Sequence, residues 1–237
     1  MILVRQGSSR GKSEFYWLNS FHTFSFGDYF DPDFMGFGSL RVINEDTVQP
    51  GQGFGRHPHK DMEIISYVIE GSLQHKDSMG TGTIITPGEI QCMSAGTGVE
   101  HSEFNPSATE IVHFLQIWII PETKGLTPTY QQQSIPQLNN KLTLIASKEG
   151  REVIKINQDV KLYRAFLTPE HLLKHEFEQK RGGWLQVIKG ELNLNGQMLT
   201  TGDGAAIITN NIEVKSIKNT EFLLFDICMM DRGQRLK

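Results

Sequence analysis

The chain has 237 residues and a formal net charge of -4 at pH 7. No run of lysine and arginine is longer than the pair Lys180–Arg181, so the composition argues against a surface for nucleic acid or for an anionic membrane. A chain of this length can bury a core without disulfides, and its two cysteines, Cys92 and Cys228, form no motif.

The amino terminus, MILVRQGSSR, turns polar after Val4 and therefore lacks the apolar core of a secretion signal. The longest apolar stretch, IWII around Trp118, is far too short to cross a bilayer. Together with the sparse cysteines, these features predict a cytoplasmic protein in a reducing setting.

An aromatic block follows at residues 15–37, which hold ten of the chain's 14 Phe, 5 Tyr and 3 Trp residues. The simpler interpretation is that these rings pack over a barrel end or between domains, because aromatic side chains contribute strongly to packing. The alternative is that some of them, such as Phe26 or Phe37, line a pocket for a flat aromatic ligand. The sequence leaves both interpretations open.

Short β-rich runs recur at close spacing along the rest of the chain, separated by turn signals. The runs are EIISYVI, GTIIT, IVHFLQIWII, KLTLIAS, EVIKI, WLQVIKG, AAII, IEVKSI and FLLFDI. Helical periodicity is scarce, and its best example, TPEHLLKHEFEQ from Thr168, predicts one short helix. The pattern predicts an all-β fold, either a sandwich or a barrel.

An internal repeat divides the chain. The segment YVIEGSLQH from Tyr67 is echoed by QVIKGELNL from Gln186, and a glycine–acid pair follows each copy, at Gly88–Glu89 and Gly202–Asp203. The second copy is shorter and contains Asn195–Gly196, which suits a two-residue hairpin turn. The repeat predicts two similar β domains in tandem.

The seam between the two copies lies in residues 121–141, where prolines and glutamines interrupt the strands. We place the boundary near residue 126. The predicted domains are therefore residues 1–125 and residues 126–237.

Two histidines one residue apart, His57 and His59, follow a glycine-rich stretch in GQGFGRHPHKDME. Successive side chains of a strand alternate between its faces, so both imidazoles point the same way and Pro58 points to the other side. Glu63 joins them if the strand runs unbroken. With eight histidines in the chain, one such pair can arise by chance.

A second pair with the same spacing, His101 and Glu103, follows another glycine cluster in SAGTGVEHSEFN. Two strands that each offer two donors to one face can close around one ion. Three imidazoles and a carboxylate suit a first-row divalent metal and disfavour calcium or magnesium, which prefer oxygen ligands throughout. These four residues, with Glu63 near them, are the candidate ligands.

The other histidines have no comparable partners, and we predict that they are hydrogen-bonded or solvated: His22, His75, His113, His171 and His175. Of these, His75 comes nearest to a ligand position, because it follows Gly71 on what should be the next strand.

The spacing of the candidate ligands resembles the two sequence motifs of the cupin family. The first motif runs Gly51, five residues, His57, one, His59, three, Glu63, seven, Gly71, and the second runs Gly98, two, His101, three, Asn105. The acid comes one residue early, and Gly96–Thr97–Gly98 stands where the general pattern has Pro-x-Gly. These departures, in RHPHKDMEIISYVIEGSLQHKDSMG and MSAGTGVEHSEFNPS, closely resemble the pirin family, in particular the bacterial pirin-like proteins with quercetinase activity.

The resemblance implies a bicupin, which consists of two tandem cupin β-barrels of the jelly-roll type. One metal would lie in the amino-terminal barrel, held by His57, His59, His101 and Glu103. Glu63 takes the usual cupin acid position, but we expect it to support the site rather than to bind the metal.

The carboxy-terminal copy lacks this donor set. Counting from the shared glycines places these residues at the four ligand positions: Glu176, Glu178, Lys215 and Ile217. Because none of them is a histidine, we predict that the second domain is metal-free and serves as a scaffold.

The resemblance also implies a dioxygenase that opens the heterocyclic ring of flavonols such as quercetin between carbons 2 and 3 and releases carbon monoxide. The substrates would be the flavonol and dioxygen, and Glu103 would act as both metal ligand and base. We expect Fe(II), with copper, nickel, manganese and zinc as alternatives, because ligand type discriminates poorly among these ions.

Two other functions stay open at this point. One is a metal-dependent regulatory or partner-binding pirin without an enzymatic role. The other is a cupin enzyme that acts on a different small metabolite, since a fold does not determine a function. Neither requires direct contact with nucleic acid or a membrane, and the sequence identifies no protein partner.

Overall fold

The computed structural model describes residues 1–229, and its regular structure is almost entirely β. Within this range a 3-10 turn at Gly7–Ser9 is the single helical element. The prediction of an all-β fold is confirmed. No helix in the described range is long and apolar enough to span a membrane. Residues 230–237, at the end of the predicted second domain, lie outside the described residues.

The strands follow one another closely along the chain. Those of the first half are β1 (Ile2–Arg5), β2 (Gly11–Glu14), β3 (Leu18–His22), β4 (Leu40–Val48), β5 (Gly53–His59), β6 (Glu63–Glu70), β7 (Leu73–Asp77), β8 (Gly82–Ile85), β9 (Glu89–Ser94), β10 (Val99–Phe104) and β11 (Val112–Ile119). Those of the second half are β12 (Thr129–Ser134), β13 (Leu142–Ser147), β14 (Ile154–Lys155), β15 (Val160–Leu167), β16 (Leu172–Glu176), β17 (Arg181–Lys189), β18 (Glu191–Leu194), β19 (Gln197–Thr200), β20 (Gly204–Ile207), β21 (Asn211–Ser216) and β22 (Thr220–Cys228). Every β-rich run found in the sequence overlaps one of these strands.

The predicted helix from Thr168 is wrong, because the segment TPEHLLKHEFEQ forms β16. Its side chains alternate, with Leu173 buried between the exposed Leu172 and Lys174. β16 pairs antiparallel with β21 along its whole length. Pairing with a neighbouring strand overrides the helical propensity of so short a segment.

The chain forms two compact units, built largely from the two sequence repeats. The amino-terminal unit comprises Gly11–Ile135 and Glu149–Gln158, and the carboxy-terminal unit comprises Met1–Arg10, Pro136–Lys148 and the residues from Asp159 onward. β1 belongs to the carboxy-terminal unit, in which it pairs with β20. Each unit thus includes a short segment from the other half of the chain, and the single boundary near residue 126 stays a prediction.

The amino-terminal unit contains two antiparallel sheets. The larger sheet has the strand order β12-β9-β6-β11-β4-β3-β2, and the smaller has the order β5-β10-β7-β8. Val68 and Phe114 of the larger sheet share a buried cluster with Leu73 and Ile85 of the smaller one. The smaller sheet carries all four candidate metal ligands, on β5 and β10.

The carboxy-terminal unit repeats this arrangement. The strands of its larger sheet that belong to this unit have the order β1-β20-β17-β22-β15-β13, and its smaller sheet has the order β16-β21-β18-β19. Since β17 matches β6, strands β16 and β21 occupy the places of β5 and β10. The sequence repeat is therefore a structural repeat, and the predicted pair of similar β-barrels is confirmed.

The repeated turn residues also have repeated roles. Gly71 and Gly190 have φ values of 76° and 97°, and a Cβ there would lie 2.2 Å and 2.3 Å from a carbonyl oxygen, so a larger residue does not fit. Glu89 and Asp203 each accept hydrogen bonds from the N–H and the hydroxyl of a threonine three residues earlier. Asn195–Gly196 joins β18 to β19 with positive φ at both residues, which confirms the predicted hairpin turn.

Candidate metal centre

The two segments that hold the candidate ligands lie side by side as β5 and β10. His57 is directly opposite His101, and the register shifts beyond that pair so that Glu103 lies opposite Phe54. His101 and Glu103 are buried, whereas their neighbours along β10 are more exposed. His57 and His59 likewise alternate with exposed residues on β5. Strand pairing and alternation thus bring the four candidate ligands to one face of the smaller sheet.

Three imidazoles converge on this face. One nitrogen each of His57, His59 and His101 lies within 4.8 Å of the others. The ring centroids are 4.5 to 4.8 Å apart, and the Nε2 atoms of His57 and His101 are separated by 3.1 Å. Nitrogens at these separations can share one ion at the usual metal–nitrogen distance of about 2.1 Å.

The imidazoles are arranged to offer lone pairs rather than protons. The Nδ1–H of His57 donates to the carbonyl oxygen of Gly55 at 2.7 Å, which leaves Nε2 unprotonated. Burial, reinforced by His57, lowers the pKa of His59 to about 4. Burial and the neighbouring imidazoles also lower the pKa of His101. The neutral imidazole that results is the form that binds a metal.

Glu103 brings a carboxylate next to His101, although it does not belong to the cluster of His57, His59 and His101. It is 2% exposed, and its oxygens accept hydrogen bonds from Ser66 Oγ at 3.0 Å and from Gln116 Nε2 at 2.5 Å. Burial raises the pKa of Glu103 to about 7, against the opposing effect of the Ser66 hydrogen bond. Glu103 forms a second donor cluster with His101 and His75, again within 4.8 Å. Imidazoles with one carboxylate suit a divalent metal.

The prediction for His75 describes only part of its surroundings. Its Nε2 does lie 3.0 Å from Asp77 Oδ2, as expected for a hydrogen-bonded histidine. It is also fully buried against His101, and β7 pairs with β10 so that His75 lies opposite Glu103 and Asp77 opposite His101. The one-apart spacing of His75 and Asp77 on the strand after Gly71 is the sequence signal that could have revealed this placement.

Three of the remaining histidines bond to side chains, as predicted: His22 to Asn44 at 2.8 Å, His113 to Glu45 at 2.9 Å and His175 to Asp226 at 3.3 Å. For His171 the expectation stays a prediction. None of these four belongs to a donor cluster found in residues 1–229.

Glu63 does not share a strand with the histidines. β5 ends at His59 and β6 begins at Glu63, and Asp61 between them has a φ of 50°, so the strand is broken between His59 and Glu63. Glu63 is fully buried and accepts hydrogen bonds from Ser94 Oγ at 2.7 Å and from the backbone N–H of Asn157 at 3.2 Å. These contacts fix the segment around Asn157, and a supporting role of Glu63 at the metal stays a prediction.

A cavity of about 210 Å³ opens beside the candidate ligands. His57, His59 and Glu103 line it together with the aromatic rings of Phe15, Phe26, Phe54 and Trp118. Its other lining residues are Ser13, Leu18, Ser20, His22, Gly27, Asp28, Asn44, Asp46 and Gln116. Phe26 therefore lines a pocket, as one interpretation of the aromatic block predicted. Phe37, by contrast, is 2% exposed and does not line this cavity.

Two buried polar atoms of residues that line the cavity, Asp46 Oδ1 and Trp118 Nε1, have no hydrogen-bond partner in the part of the chain that the structure describes. Burial raises the pKa of Asp46 to about 7, although a hydrogen bond from Ser20 opposes this. An unsatisfied buried polar group costs about 1–3 kcal/mol, so these atoms are suited to bond a ligand. Neither residue belongs to a sequence motif, and their meeting depends on the pairing of β4 with β11.

The corresponding interior of the carboxy-terminal unit is apolar. Leu173 on β16 and Ile212 and Val214 on β21 belong to a buried hydrophobic cluster. The four positions counted from the sequence are exposed or only half-buried: Glu176, Glu178, Lys215 and Ile217. Counting from the shared glycines does not identify the inward-facing residues, because a shift of one residue turns a strand side chain to the opposite face. The absence of a metal from this unit stays a prediction.

Comparison with known proteins gives full-length relatives. The Pirin family model matches residues 4–119, and the model for the quercetinase C-terminal cupin domain matches residues 144–227. The quercetin 2,3-dioxygenase of Escherichia coli (strain K12) is 47% identical over 229 residues, which span 96% of this chain and 99% of the relative.

Solved structures agree with this match. The crystal structure of YhhW from Escherichia coli has a TM-score of 0.95 at 46% identity and covers 98% of this chain and 100% of that one. The crystal structure of the bacterial pirin YhhW in complex with nickel(II) has a TM-score of 0.93, also at 46% identity, and covers 96% and 99% of the two chains. Sequence and fold together show that this chain belongs to the pirin family and is a bicupin.

Proposed function

We propose that this pirin is a metal-dependent dioxygenase that opens the heterocyclic ring of flavonols such as quercetin. The observation that carries the proposal is the cavity of about 210 Å³, in which imidazoles and a carboxylate meet aromatic walls. A planar phenolic ring system lies well between such walls, with a hydroxyl oxygen at the polar end. The Escherichia coli relative named quercetin 2,3-dioxygenase supports the same activity.

We assign His57, His59, His101 and Glu103 as the ligands of one divalent metal. The convergence of the imidazole nitrogens and the position of Glu103 beside His101 support this set. The nickel(II) complex of YhhW supports a divalent metal in this family. Fe(II) is our first choice, because imidazole and carboxylate ligands with open positions are typical of non-heme iron oxygenases. Nickel, copper, manganese and zinc are the alternatives. When bound, the metal supplies positive charge that stabilises a deprotonated hydroxyl.

Glu103 is the base in this proposal. Its carboxylate lines the cavity and is held by Ser66 and Gln116, so it can take the proton of the flavonol 3-hydroxyl without reorienting. The electron-rich flavonolate then reacts with dioxygen, whose two oxygen atoms bond to carbons 2 and 4, and the C2–C3 and C3–C4 bonds break. One dioxygen is consumed per flavonol, and carbon 3 leaves as one carbon monoxide.

The cavity walls orient the substrate. Phe15, Phe26 and Phe54 offer ring surfaces for stacking, which excludes water from the reacting carbons. Among the described residues, Trp118 Nε1 and Asp46 Oδ1 have no hydrogen-bond partner. The indole N–H can donate to a hydroxyl or carbonyl oxygen of the flavonol, and the carboxylate oxygen can accept from a flavonol hydroxyl.

Replacing Trp118 with phenylalanine tests this orientation. The ring stays and the N–H donor is lost, so we expect KM for quercetin to rise about fivefold, since a neutral hydrogen bond contributes about 1 kcal/mol. The kcat should stay close to that of the wild type, because the bond is formed equally in the ground and transition states. Steady-state kinetics measure both values. Trp184→Phe is the control, because the indole of Trp184 bonds to Gln186 in the other unit; an equal rise in KM there would contradict the assignment.

A spectroscopic titration tests the proposed binding mode. Metal-loaded protein is titrated with quercetin without oxygen, and the absorption band of the flavonol is recorded. We expect the band to move to longer wavelength, as it does when a flavonol loses its 3-hydroxyl proton. The shift should be lost in Glu103→Gln at the same metal content. An unshifted band with saturating wild-type protein would contradict the proposal.

A further inference from the structure

We propose that Asp77 and His75 act as a positioning pair that fixes the tautomer of His101 and leaves its Nε2 free to bind the metal. This inference rests on the assignment of His101 as a ligand in the proposed function. Neither Asp77 nor His75 lines the cavity, so both act through His101 and not on the substrate.

Asp77, His75 and His101 form a continuous series of polar contacts across β7 and β10. In the register of β7 and β10, Asp77 lies opposite His101. The Nε2 atom of His75 is 3.0 Å from Asp77 Oδ2, and its Nδ1 is 3.5 Å from His101 Nδ1. The far nitrogen of His101, Nε2, faces His57 at 3.1 Å. The imidazole of His101 therefore has one nitrogen towards the positioning pair and the other towards the metal-binding cluster.

The carboxylate of Asp77 determines which atom donates in each of these contacts. Its Oδ1 already accepts from the backbone N–H groups of Met79 at 2.9 Å and Thr81 at 3.0 Å, and it has no proton of its own to donate. The proton of His75 must therefore be on Nε2, where it donates to Asp77 Oδ2. A neutral imidazole carries one ring proton, so Nδ1 of His75 is an acceptor. His101 then donates from Nδ1 and keeps its Nε2 lone pair.

The surroundings hold the pair in place. The side chains of His75 and Asp77 are both fully buried, and the ring of Tyr130 lies 4.8 Å from the ring of His75. Water is therefore excluded as a competing partner for the His75 nitrogens. Histidine ligands of metals generally donate their second N–H to such a partner, and losing the partner costs about 10–100-fold in affinity.

The same residues allow a competing interpretation. His75, His101 and Glu103 bring three donor atoms within 4.8 Å of one another, and a metal bound there would use Nδ1 of both histidines. Such a metal would be wholly buried and would need an unprotonated Nδ1 on His101. The two interpretations therefore predict opposite protonation of His101.

The experiment uses protein loaded with one equivalent of Zn(II), which is diamagnetic, and labelled with nitrogen-15 at histidine. Long-range proton–nitrogen NMR correlations identify the protonated nitrogen in each ring, independently of any activity. We expect His101 to be protonated at Nδ1 and His75 at Nε2. A proton on Nε2 of His101 in the wild-type protein would overturn the proposal, even if no variant could be purified.

The second part of the experiment uses Asp77→Asn. The substitution keeps the shape of the side chain and replaces one hydrogen-bond acceptor by a donor. The new amide donates to Nε2 of His75, which moves the proton of His75 to Nδ1 and opposes a proton on Nδ1 of His101. We expect the tautomer of His75 to reverse and the affinity for Ni(II), measured by calorimetry, to fall about 10–100-fold. An unchanged His75 tautomer with unchanged affinity in Asp77→Asn would overturn the proposal.

Two further results complete the test. Asp203→Asn is the matched control, because Asp203 also accepts backbone N–H groups at a turn but has no histidine partner in the contacts described for it; it should leave the affinity for Ni(II) unchanged. Stoichiometric Ni(II) binding that survives His57→Ala and is lost in His75→Ala would place the metal in the competing cluster and overturn the inference. If the tautomers are as expected and quercetin is still not turned over, the proposed function fails and the positioning role stands.

Discussion

Replacing His101 with alanine is expected to abolish stoichiometric metal binding. His101 is the one residue shared by both donor clusters, and its Nε2 lies 3.1 Å from that of His57. Its removal leaves two half-buried histidines on β5 without a donor from β10 at this position. Losing the hydrogen-bond partner of a ligand histidine already lowers metal affinity about 10–100-fold. Losing the ligand itself should therefore lower the affinity by more than about 100-fold. Calorimetry with Ni(II) on metal-free protein measures the effect.

The control for this variant is His171→Ala. His171 lies in the carboxy-terminal unit and belongs to neither donor cluster, so one equivalent of Ni(II) should still bind. Thermal unfolding of both variants shows whether they remain folded. Full occupancy in folded His101→Ala, at the affinity of the wild type, would show that the assigned ligand set is wrong.

Replacing Glu103 with glutamine is expected to lower kcat for quercetin by about 10²–10⁴-fold. The substitution keeps the size of the side chain and a carbonyl oxygen that can still accept from Ser66 or Gln116. It removes the negative charge and the capacity to take a proton. The loss should therefore exceed what a lower metal content explains, and kcat is expressed per bound metal.

The outer face of the same strand offers the control for Glu103→Gln. Glu100 is exposed and forms an ion pair with Arg56 at 2.7 Å, so Glu100→Gln removes an equal charge from β10 without touching the cavity. Its kcat should match that of the wild type. A kcat for Glu103→Gln within about threefold of the wild type, at equal metal content, would remove Glu103 from its role as base.

Much of the candidate site follows from local sequence patterns. The alternation of strand side chains is enough to place His57 and His59 on one face, and the same holds for His101 and Glu103. The glycine spacing shows where the hairpins of the two repeats turn, and Gly71 and Gly190 do occupy equivalent positive-φ positions. These features are local, because each needs only a strand or a turn of a few residues.

The parts that were missed depend on which strands become neighbours. His75 and Asp77 matter because β7 pairs with the other side of β10, a contact that the spacing of the ligands does not reveal. Asp46 and Trp118 meet at the cavity through the pairing of β4 with β11.

Two other features have a different physical origin. Glu63 does not join the face of His57 and His59, because the chain breaks at Asp61, where a positive φ ends the alternation that began on β5. The helix predicted from Thr168 failed because a short segment with mixed propensity takes the structure that its neighbours in the sheet impose. In both cases the local sequence pattern predicts a continuous element, and contacts with other parts of the fold end or replace that element.

Metal-dependent cleavage of a flavonol is tested most directly by a turnover experiment. Protein stripped of metal is reconstituted without oxygen with Fe(II), Cu(II), Ni(II), Mn(II) or Zn(II), mixed with quercetin, and then exposed to oxygen. The loss of the flavonol absorbance, the oxygen consumed and the carbon monoxide trapped are measured together. With at least one of these metals, we predict that the three quantities change in equal molar amounts and that metal-free protein is inactive. Quercetin that stays intact with all five metals, in protein that binds one equivalent of metal, would contradict the account.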